Sequence, residues 1–222
     1  MVWVPAGEFL MGSDRDVDAY ADAEPVHQVR ITRGFWLGRC EVTNAQYKKY
    51  CAEAGVQFPE DSNQGDTHPV AHVSWTDVAA YCRHYGLSLP TEAQWEYAAA
   101  GPEAGQYPWG NAWDAKKCGN WNNPGPGGST WPVGSFPQGA SWCGALDLAG
   151  NVWEWCQDWY DENYYAHSPA EDPAGPEAGT NRVLRGGSWS LDHGDEFRCA
   201  YRGDLDPVYR DDSRGCRCAR TT

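Results

Sequence analysis

Nine cysteines and six histidines are the residues whose spacing first bounds the chemistry open to this chain. There is no Cys-x-x-Cys pair to close a tetrahedral zinc site, and the nearest approach is Cys216-x-Cys218. Scattered thiols in odd number read as small buried hydrophobes, with one or two disulfides open to them in an oxidising compartment. His68 and His72 have the helical spacing that brings two imidazoles to one metal, but Pro69 between them makes the segment a loop.

A different chemistry runs near the end of the chain. Trp189, Ser190, Leu191, Asp192, His193, Gly194 and Asp195 are followed by Tyr201, then Gly203, Asp204, Leu205 and Asp206. Val208, Tyr209, Asp211, Asp212 and Ser213 complete the run, which is interrupted by Arg198, Arg202, Pro207, Arg210 and, further on, Arg217. Rigid aromatics set among small polar groups are the composition of a recognition surface. The interspersed arginines are expected to be structural, paired with carboxylates.

Charge narrows the partners. Lys and Arg number 17 against 31 Asp and Glu, a formal net charge of -14. That field repels phosphate backbones and anionic membrane surfaces, so nucleic acid is not an expected partner, while hard divalent cations are favoured. No apolar run approaches the roughly 20 residues of a membrane span. The segment Met1 to Glu8 has neither a basic nor an apolar leader region. The expectation is a cytoplasmic chain, with surface display or export open if a leader has been trimmed.

The elements that must position these residues are legible in part. Thirteen Trp, twelve Tyr and 25 Gly suit an irregular, loop-rich α+β fold rather than a helical bundle. Val2 to Val4 and Phe9 to Gly12 read as a hairpin turned at Pro5-Ala6-Gly7, and an acidic loop from Asp14 to Glu24 precedes a strand from Val26 to Ile31. In that strand only Val29 and Ile31 alternate inward, and Phe35 to Gly38 is a further short strand. Capping boxes at Thr43/Gln46, Ser74/Asp77 and Thr91/Gln94 open three helices, stopped at Gly55, Gly86 and Gly101. From Tyr107 to Gly139 the chain is Gly, Pro, Asn and Trp, a loop long enough to need Trp109, Trp113, Trp121 and Trp131 as anchors. Short strands are predicted at Val152 to Trp155, Arg182 to Arg185, Phe197 to Ala200 and Cys216 to Ala219.

Several motifs in order resemble the sulfatase-modifying family built around formylglycine-generating enzyme. They are Val4 to Ser13, Glu41-Val42-Thr43-Asn44, Pro69-Val70, Leu89 to Ala98, Gly150-Asn151-Val152-Trp153-Glu154-Trp155, Arg185-Gly186-Gly187-Ser188-Trp189 and Gly215-Cys216-Arg217-Cys218-Ala219. The resemblance covers nearly the whole chain and implies one C-type-lectin-like domain over residues 1–222. Family oxidases hold copper with two thiolates that lie between the Gly-Gly-Ser and the next Arg-Cys-Ala. Here the interval Trp189 to Phe197 contains no sulfur, so copper is not expected, although Trp155 and Ser188 match positions that line the oxidase pocket. The alternative, a copper- and oxygen-dependent oxidase of a protein cysteine, requires two other thiols a few ångströms apart in a cleft.

The resemblance also implies calcium, with matching positions at Asn120, Trp121, Gly150, Asn151, Val152 and Glu154. The pattern departs upstream, at Pro124 to Gly128, which leaves one calcium near Asn151 and Glu154. The arginine-bearing frame in turn resembles the variable region of proteins diversified by retroelements, in which adenine-containing codons become NNC codons. NNC never encodes Lys, Gln, Glu, Met or Trp. Ser190 to Asp195, Tyr201, Gly203 to Asp206, Val208, Tyr209 and Asp211 to Ser213 all comply, although Lys, Glu and Gln are common surface residues of proteins, and Glu196 alone interrupts. No Asn survives in the stretch. The expected function is non-catalytic binding of a protein or peptide. A sugar is not expected, since no lectin-type calcium carbohydrate motif is present.

Overall fold

Reciprocal caps set the three helices of the computed structural model, which describes residues 1–14, 22–59 and 65–221. The Thr43 hydroxyl accepts from the Gln46 amide while the Gln46 side chain accepts from the Thr43 amide, opening α1 (Asn44–Ala54); Gly55, left-handed at φ 68, ends it. Ser74 and Asp77 open α2 (Trp75–His84), and Thr91 and Gln94 open α3 (Glu92–Ala100), as the sequence predicts. On α3 the buried residues include Glu92, Ala93, Trp95, Glu96 and Tyr97, so this helix runs through the core and packs against strands on several sides.

The strands are β1 (Val2–Val4), β2 (Gly7–Met11), β3 (His27–Ile31), β4 (Phe35–Leu37), β5 (Trp153–Trp159), β6 (Arg182–Arg185), β7 (Gly203–Leu205), β8 (Arg214–Gly215) and β9 (Ala219–Thr221). They form a sheet of order β1-β4-β9, a β2-β3 pair and a sheet of order β7-β6-β5-β8. Pairing is antiparallel except between β5 and β8. This mixture of three helices and small sheets is the α+β architecture expected. Val29 and Ile31 are the inward residues of β3.

The predicted opening hairpin does not form. Both strands exist, but β1 pairs with β4 and β2 with β3. Gly7, at the start of β2, lies against the Tyr97 hydroxyl, where any Cβ would collide, and β2 packs on α3. Phe197 to Ala200 is not a strand; the buried Phe197 ends a short 3-10 turn from Gly194 and stacks on Trp113 at 4.9 Å. Cys216 to Cys218 cross between sheets, from the end of β8 to the start of β9, with their carbonyls accepting from Val42 (2.8 Å) and Gly38 (2.7 Å). The acidic loop lies largely outside the described residues.

Two apolar clusters fill most of the interior. One surrounds Trp95, with Phe9, Ile31, Phe35 and Leu148. The other lies between α1, α2 and the second sheet and holds Tyr47, Tyr81, Trp153, Trp155, Cys82, Cys216 and Cys218. The long loop is anchored by Trp109 and Trp113, which pack with Tyr107, and by Trp131 against Phe136. Trp121 is no anchor: the residue is 61% exposed, and its backbone amide donates to Leu191.

Candidate functional site

The segment that carries the candidate surface is fixed to the core by a floor of buried arginine–carboxylate pairs. Arg185 donates to Glu92 Oε1 (2.9 Å) and to Glu96 Oε2 (2.5 Å), the two carboxylates one turn apart on α3. Arg202 holds both oxygens of Glu92 at 2.8 and 3.0 Å and lies over the Tyr165 ring. Arg217 is bidentate to Glu154 at 2.6 Å on each side and donates to the Leu146 carbonyl. Two frame arginines, Arg202 and Arg217, and Arg185 ahead of the frame are thus fixed to carboxylates of α3 and β5. Burial raises the Glu92 carboxyl, but Arg202 and Arg185 outweigh it and hold the group below its ordinary range. At Glu96 burial wins over Arg185 and the shift is upward. Asp158, which accepts from the Glu92 amide at 2.9 Å, is pushed up to about 8 by burial and by the Glu92 charge.

Around Arg217 one guanidinium meets three carboxyl groups. Glu41 and Asp147 are buried close by with Glu154, and burial followed by these neighbouring carboxylates pushes Glu41 well above its ordinary range. Glu41 Oε1 accepts from Asn151 Nδ2 at 3.1 Å, and the Glu41 side chain also shares a hydrogen bond with the Asp147 carboxyl. This bears on the implied calcium ligands. Both oxygens of Glu154 are taken by Arg217 and by the Trp95 indole. Asn151 Oδ1 accepts from the Trp131 amide, and Asn120 Oδ1 from the Asn122 amide. Gly150 and Asn151 donate their amides to Gly186 and Gly119, Val152 is buried, and the Trp121 amide goes to Leu191. The Glu154 carboxylate is therefore fully engaged by protein donors.

On this segment the predicted binding residues fall into two pinned loops. In residues 189–195 the Trp189 amide donates to Asn151 (2.9 Å), the Leu191 carbonyl accepts from Trp121 (2.8 Å), and the Asp192 carbonyl accepts from Asn122. Gly194 lies against the Trp113 ring so closely that a Cβ would collide. Ser190, Asp192 and His193 are exposed, while Trp189, Leu191 and Asp195 are half-buried, Asp195 paired with Arg198. In residues 206–213 the carbonyl of Pro207 accepts from Trp75 and that of Asp211 from His72, while Arg210 is bidentate to Asp77. Asp206 and Asp211 cap the amides of Val208 and Ser213, and Val208, Tyr209 and Asp212 are exposed. The Trp189 indole donates to the Asp212 carbonyl at 3.2 Å and joins the two loops.

The remaining predicted residues lie elsewhere. Gly203, Asp204 and Leu205 are β7, at the sheet edge opposite β8, with Asp204 accepting from Asn181. Tyr201 is half-buried against Trp153, and Ser213 is buried. Sequence reasoning missed Glu92, Glu96, Glu41 and Asp147. The available signal was a pair of glutamates four apart inside the otherwise apolar Glu92 to Ala100, facing an arginine-rich frame.

These features define a class: an α+β scaffold whose C-terminal loops ride on buried arginine–carboxylate pairs. The chain belongs to the family of sulfatase-modifying factor enzyme 1-like domains, whose profile matches residues 1–222. A formylglycine-generating enzyme of Streptomyces coelicolor is 36% identical over 98% of this chain and 88% of its own length. Serine/threonine-protein kinase Pkn1 of Chlamydia trachomatis is also 36% identical, over 99% of this chain, which spans only 38% of that relative. Among solved structures, Treponema denticola variable protein 1 superposes with a TM-score of 0.83 at 24% identity, covering 100% of this chain and 95% of its own.

Proposed function

We propose that the chain is a non-catalytic binding protein that presents residues 189–195 and 206–212 to a protein or peptide ligand. The observation that carries this reading is the division within those loops. Their backbones are held by bonds from Trp121, Asn151, Trp75 and His72, while the side chains of Ser190, Asp192, His193, Val208, Tyr209 and Asp212 face solvent. A pinned backbone lowers the ordering cost of binding, and the identity of each outward side chain is left open. The name of the Treponema neighbour, a variable protein, agrees with NNC-compatible residues at these positions. The acidic surface favours a basic ligand segment.

The test is panning of a phage-displayed random peptide library against the protein. Enriched peptides are expected to lose binding at least tenfold to the variant Asp192→Ala/Tyr209→Ala. Enriched peptides that bind both proteins equally sink the assignment of this surface. Diversification is tested separately by sequencing the flanking DNA for a near-copy of codons 185 to 220 that differs only at adenines, beside a reverse transcriptase gene.

The second reading, a copper- and oxygen-dependent oxidase, is favoured by the name of the Streptomyces relative. It needs an accessible thiol pair. Cys82 and Cys218 are in contact, but they are 1% and 7% exposed, and Cys199 belongs to the other core cluster. Aldehyde formation on a cysteine peptide incubated with copper-loaded protein and oxygen would establish this reading and overturn the first. Calcium at the positions implied by the family resemblance would draw on backbone carbonyls and the Asn120 and Asn151 side-chain oxygens, since Glu154 is engaged by Arg217 and Trp95. A rise of Tm with added calcium but not with magnesium is expected; no rise excludes this site.

A further inference from the structure

A cavity of about 540 Å³ opens between α1, the segment that follows it and α2, within the roughly 300–1,000 Å³ of ligand pockets. Tyr47 and Tyr50 of α1 and Phe58 beyond it are its aromatic walls, and the exposed Val56 also lines it. The rings meet edge to face: Tyr47 is 5.3 Å from Tyr50 and 6.3 Å from Phe58, and it stacks on Tyr81 at 5.4 Å. Tyr47 and Tyr50 are buried by this packing, so the walls stand before any ligand arrives. Burial, then the Asp77 charge, raises the Tyr47 hydroxyl, which stays neutral. Neither Trp155 nor Ser188, the positions that match the oxidase pocket, lines this cavity.

The polar end belongs to the displayed segment. Arg210 lines the cavity and holds Asp77 through Nε (2.7 Å) and Nη2 (2.9 Å), while Asp77 also accepts from the Ser74 amide and hydroxyl. Burial raises Asp77, but the bonds from Arg210 and Ser74 outweigh it, and the carboxylate stays ionised. His72 lines the same cavity and donates its amide to the Asp211 carbonyl at 2.7 Å. Charge decides what fits. The chain carries -14 overall, yet Asp77 already has Arg210, and Asp66 holds Lys48 at 2.7 Å with the ammonium 5.3 Å over the Phe58 ring. A lysine or arginine of a ligand would meet two cations whose carboxylates are taken. A flat neutral ring finds the edges and faces of three others.

We propose that this cavity takes one aromatic side chain, Phe, Tyr or Trp, of the protein or peptide ligand, as the anchor beside the displayed surface. The inference rests on the reading of residues 206–212 as a binding surface. Arg210 Nη1, outside the bidentate pair, is left for a carbonyl of the ligand backbone. Apart from Arg210, the cavity is built from residues 47–59 and 72–80, far from the run of NNC-compatible positions. Ligands chosen by different side chains at Val208, Tyr209 and Asp212 therefore share an aromatic anchor, and the changeable rim sets which ligand is held. A few aromatic contacts in a packed pocket carry most of the energy of many interfaces.

The cavity is tested directly by titrating N-acetyl-tryptophan amide into the isotope-labelled protein, with N-acetyl-lysine amide as the control. Amide NMR shifts are expected at residues 47–59 and 72–80 with the tryptophan compound, which should bind about tenfold or more tightly than the lysine compound. Thr76→Trp puts a ring on an exposed cavity residue, removes no buried contact, and is expected to abolish the shifts. Absent shifts, shifts confined to other residues, or equal binding of the lysine compound would overturn the proposal, and these readouts in the wild-type protein stand even if the variant does not fold. Peptides enriched by panning separate the cavity from the surface. They are expected to carry an aromatic residue whose replacement by Ala costs about tenfold in affinity, a cost that disappears in Phe58→Ala. Peptides that depend on Asp192 and Tyr209 but need no aromatic residue would overturn the anchor and leave the surface standing. Peptides that need Phe58 but neither Asp192 nor Tyr209 would sink the surface and leave the aromatic site standing.

Discussion

Two sets of residues from one stretch of chain, Arg185 to Arg217, meet opposite environments. Arg185, Arg202 and Arg217 are buried and hold glutamates of α3 and β5 at ion-pair distances. Asp192, His193, Val208, Tyr209 and Asp212, interleaved with them, are exposed. The buried arginines set where the backbone runs, and the exposed side chains decide what it presents. A buried charge stripped of its partner is among the most costly defects in a protein, whereas an exposed side chain costs little to change. Stability should therefore be divided within this segment almost residue by residue.

The largest expected effect is on the floor. Arg217→Met leaves Glu154 buried beside Glu41 and Asp147 with no guanidinium to offset them, and the expected loss is about 3–5 kcal/mol by urea denaturation. The double variant Arg217→Met/Glu154→Leu should recover part of that loss, because it removes an unpaired charge as well. A cost below about 1 kcal/mol for the single variant would dissolve the contrast between floor and surface.

Titration of the floor gives the next effect. Asp158 is raised to about 8 from an ordinary value of 3.8. Between those values the native protein keeps the proton that the unfolded chain has released. Stability therefore falls as pH rises through this window, by at most about 1.4 kcal/mol per unit, and levels above it. Glu96 and Glu154, also raised, act with the same sign; Glu92, lowered, acts in the opposite sense and on the acid side. Asp158→Asn stays neutral and keeps an oxygen for the Glu92 amide, so its urea midpoint should decline less between pH 6 and 8. Parallel declines in variant and parent would show that Asp158 is not the titrating group.

Local chemistry made some of this fold readable in advance. Capping boxes involve residues three apart, so Thr43, Ser74 and Thr91 announced their helices from sequence alone. Strand pairing is non-local: nothing in Val2 to Met11 says that β1 will choose β4 and β2 will choose β3. β7 escaped notice because Gly203 and Asp204 have little strand preference and are held by pairing with β6. Composition picked out the candidate stretch, but which of its residues are exposed was not legible from it. Tyr201 and Ser213 have the same character as Tyr209 and Ser190, and only the packing of Trp153 and the turn at Asp211 draws them inward. Glu41 and Asp147 were invisible because 106 residues separate two groups that meet only in the folded chain.

The smallest effect gives the sharpest comparison, because it separates neighbours of identical chemistry. Asp211 accepts from the amide and hydroxyl of Ser213 at 3.0 Å, pairs with Arg214, and offers its carbonyl to His72. The exposed Asp212 is held by its carbonyl, which Trp189 reaches. Asp211→Ala removes the turn acceptor and is expected to cost about 1 kcal/mol, while Asp212→Ala keeps the backbone contact and should stay within about 0.5 kcal/mol. The same near-neutrality is expected when Ser190, Asp192, His193, Val208 and Tyr209 are replaced together, although contacts among them can make the sum deviate. Such a variant would keep its Tm while its binding changes, which is what a loop serving recognition rather than folding requires. Equal losses at Asp211 and Asp212 would mean that the displayed loop is itself part of the scaffold, and the surface could not be varied freely.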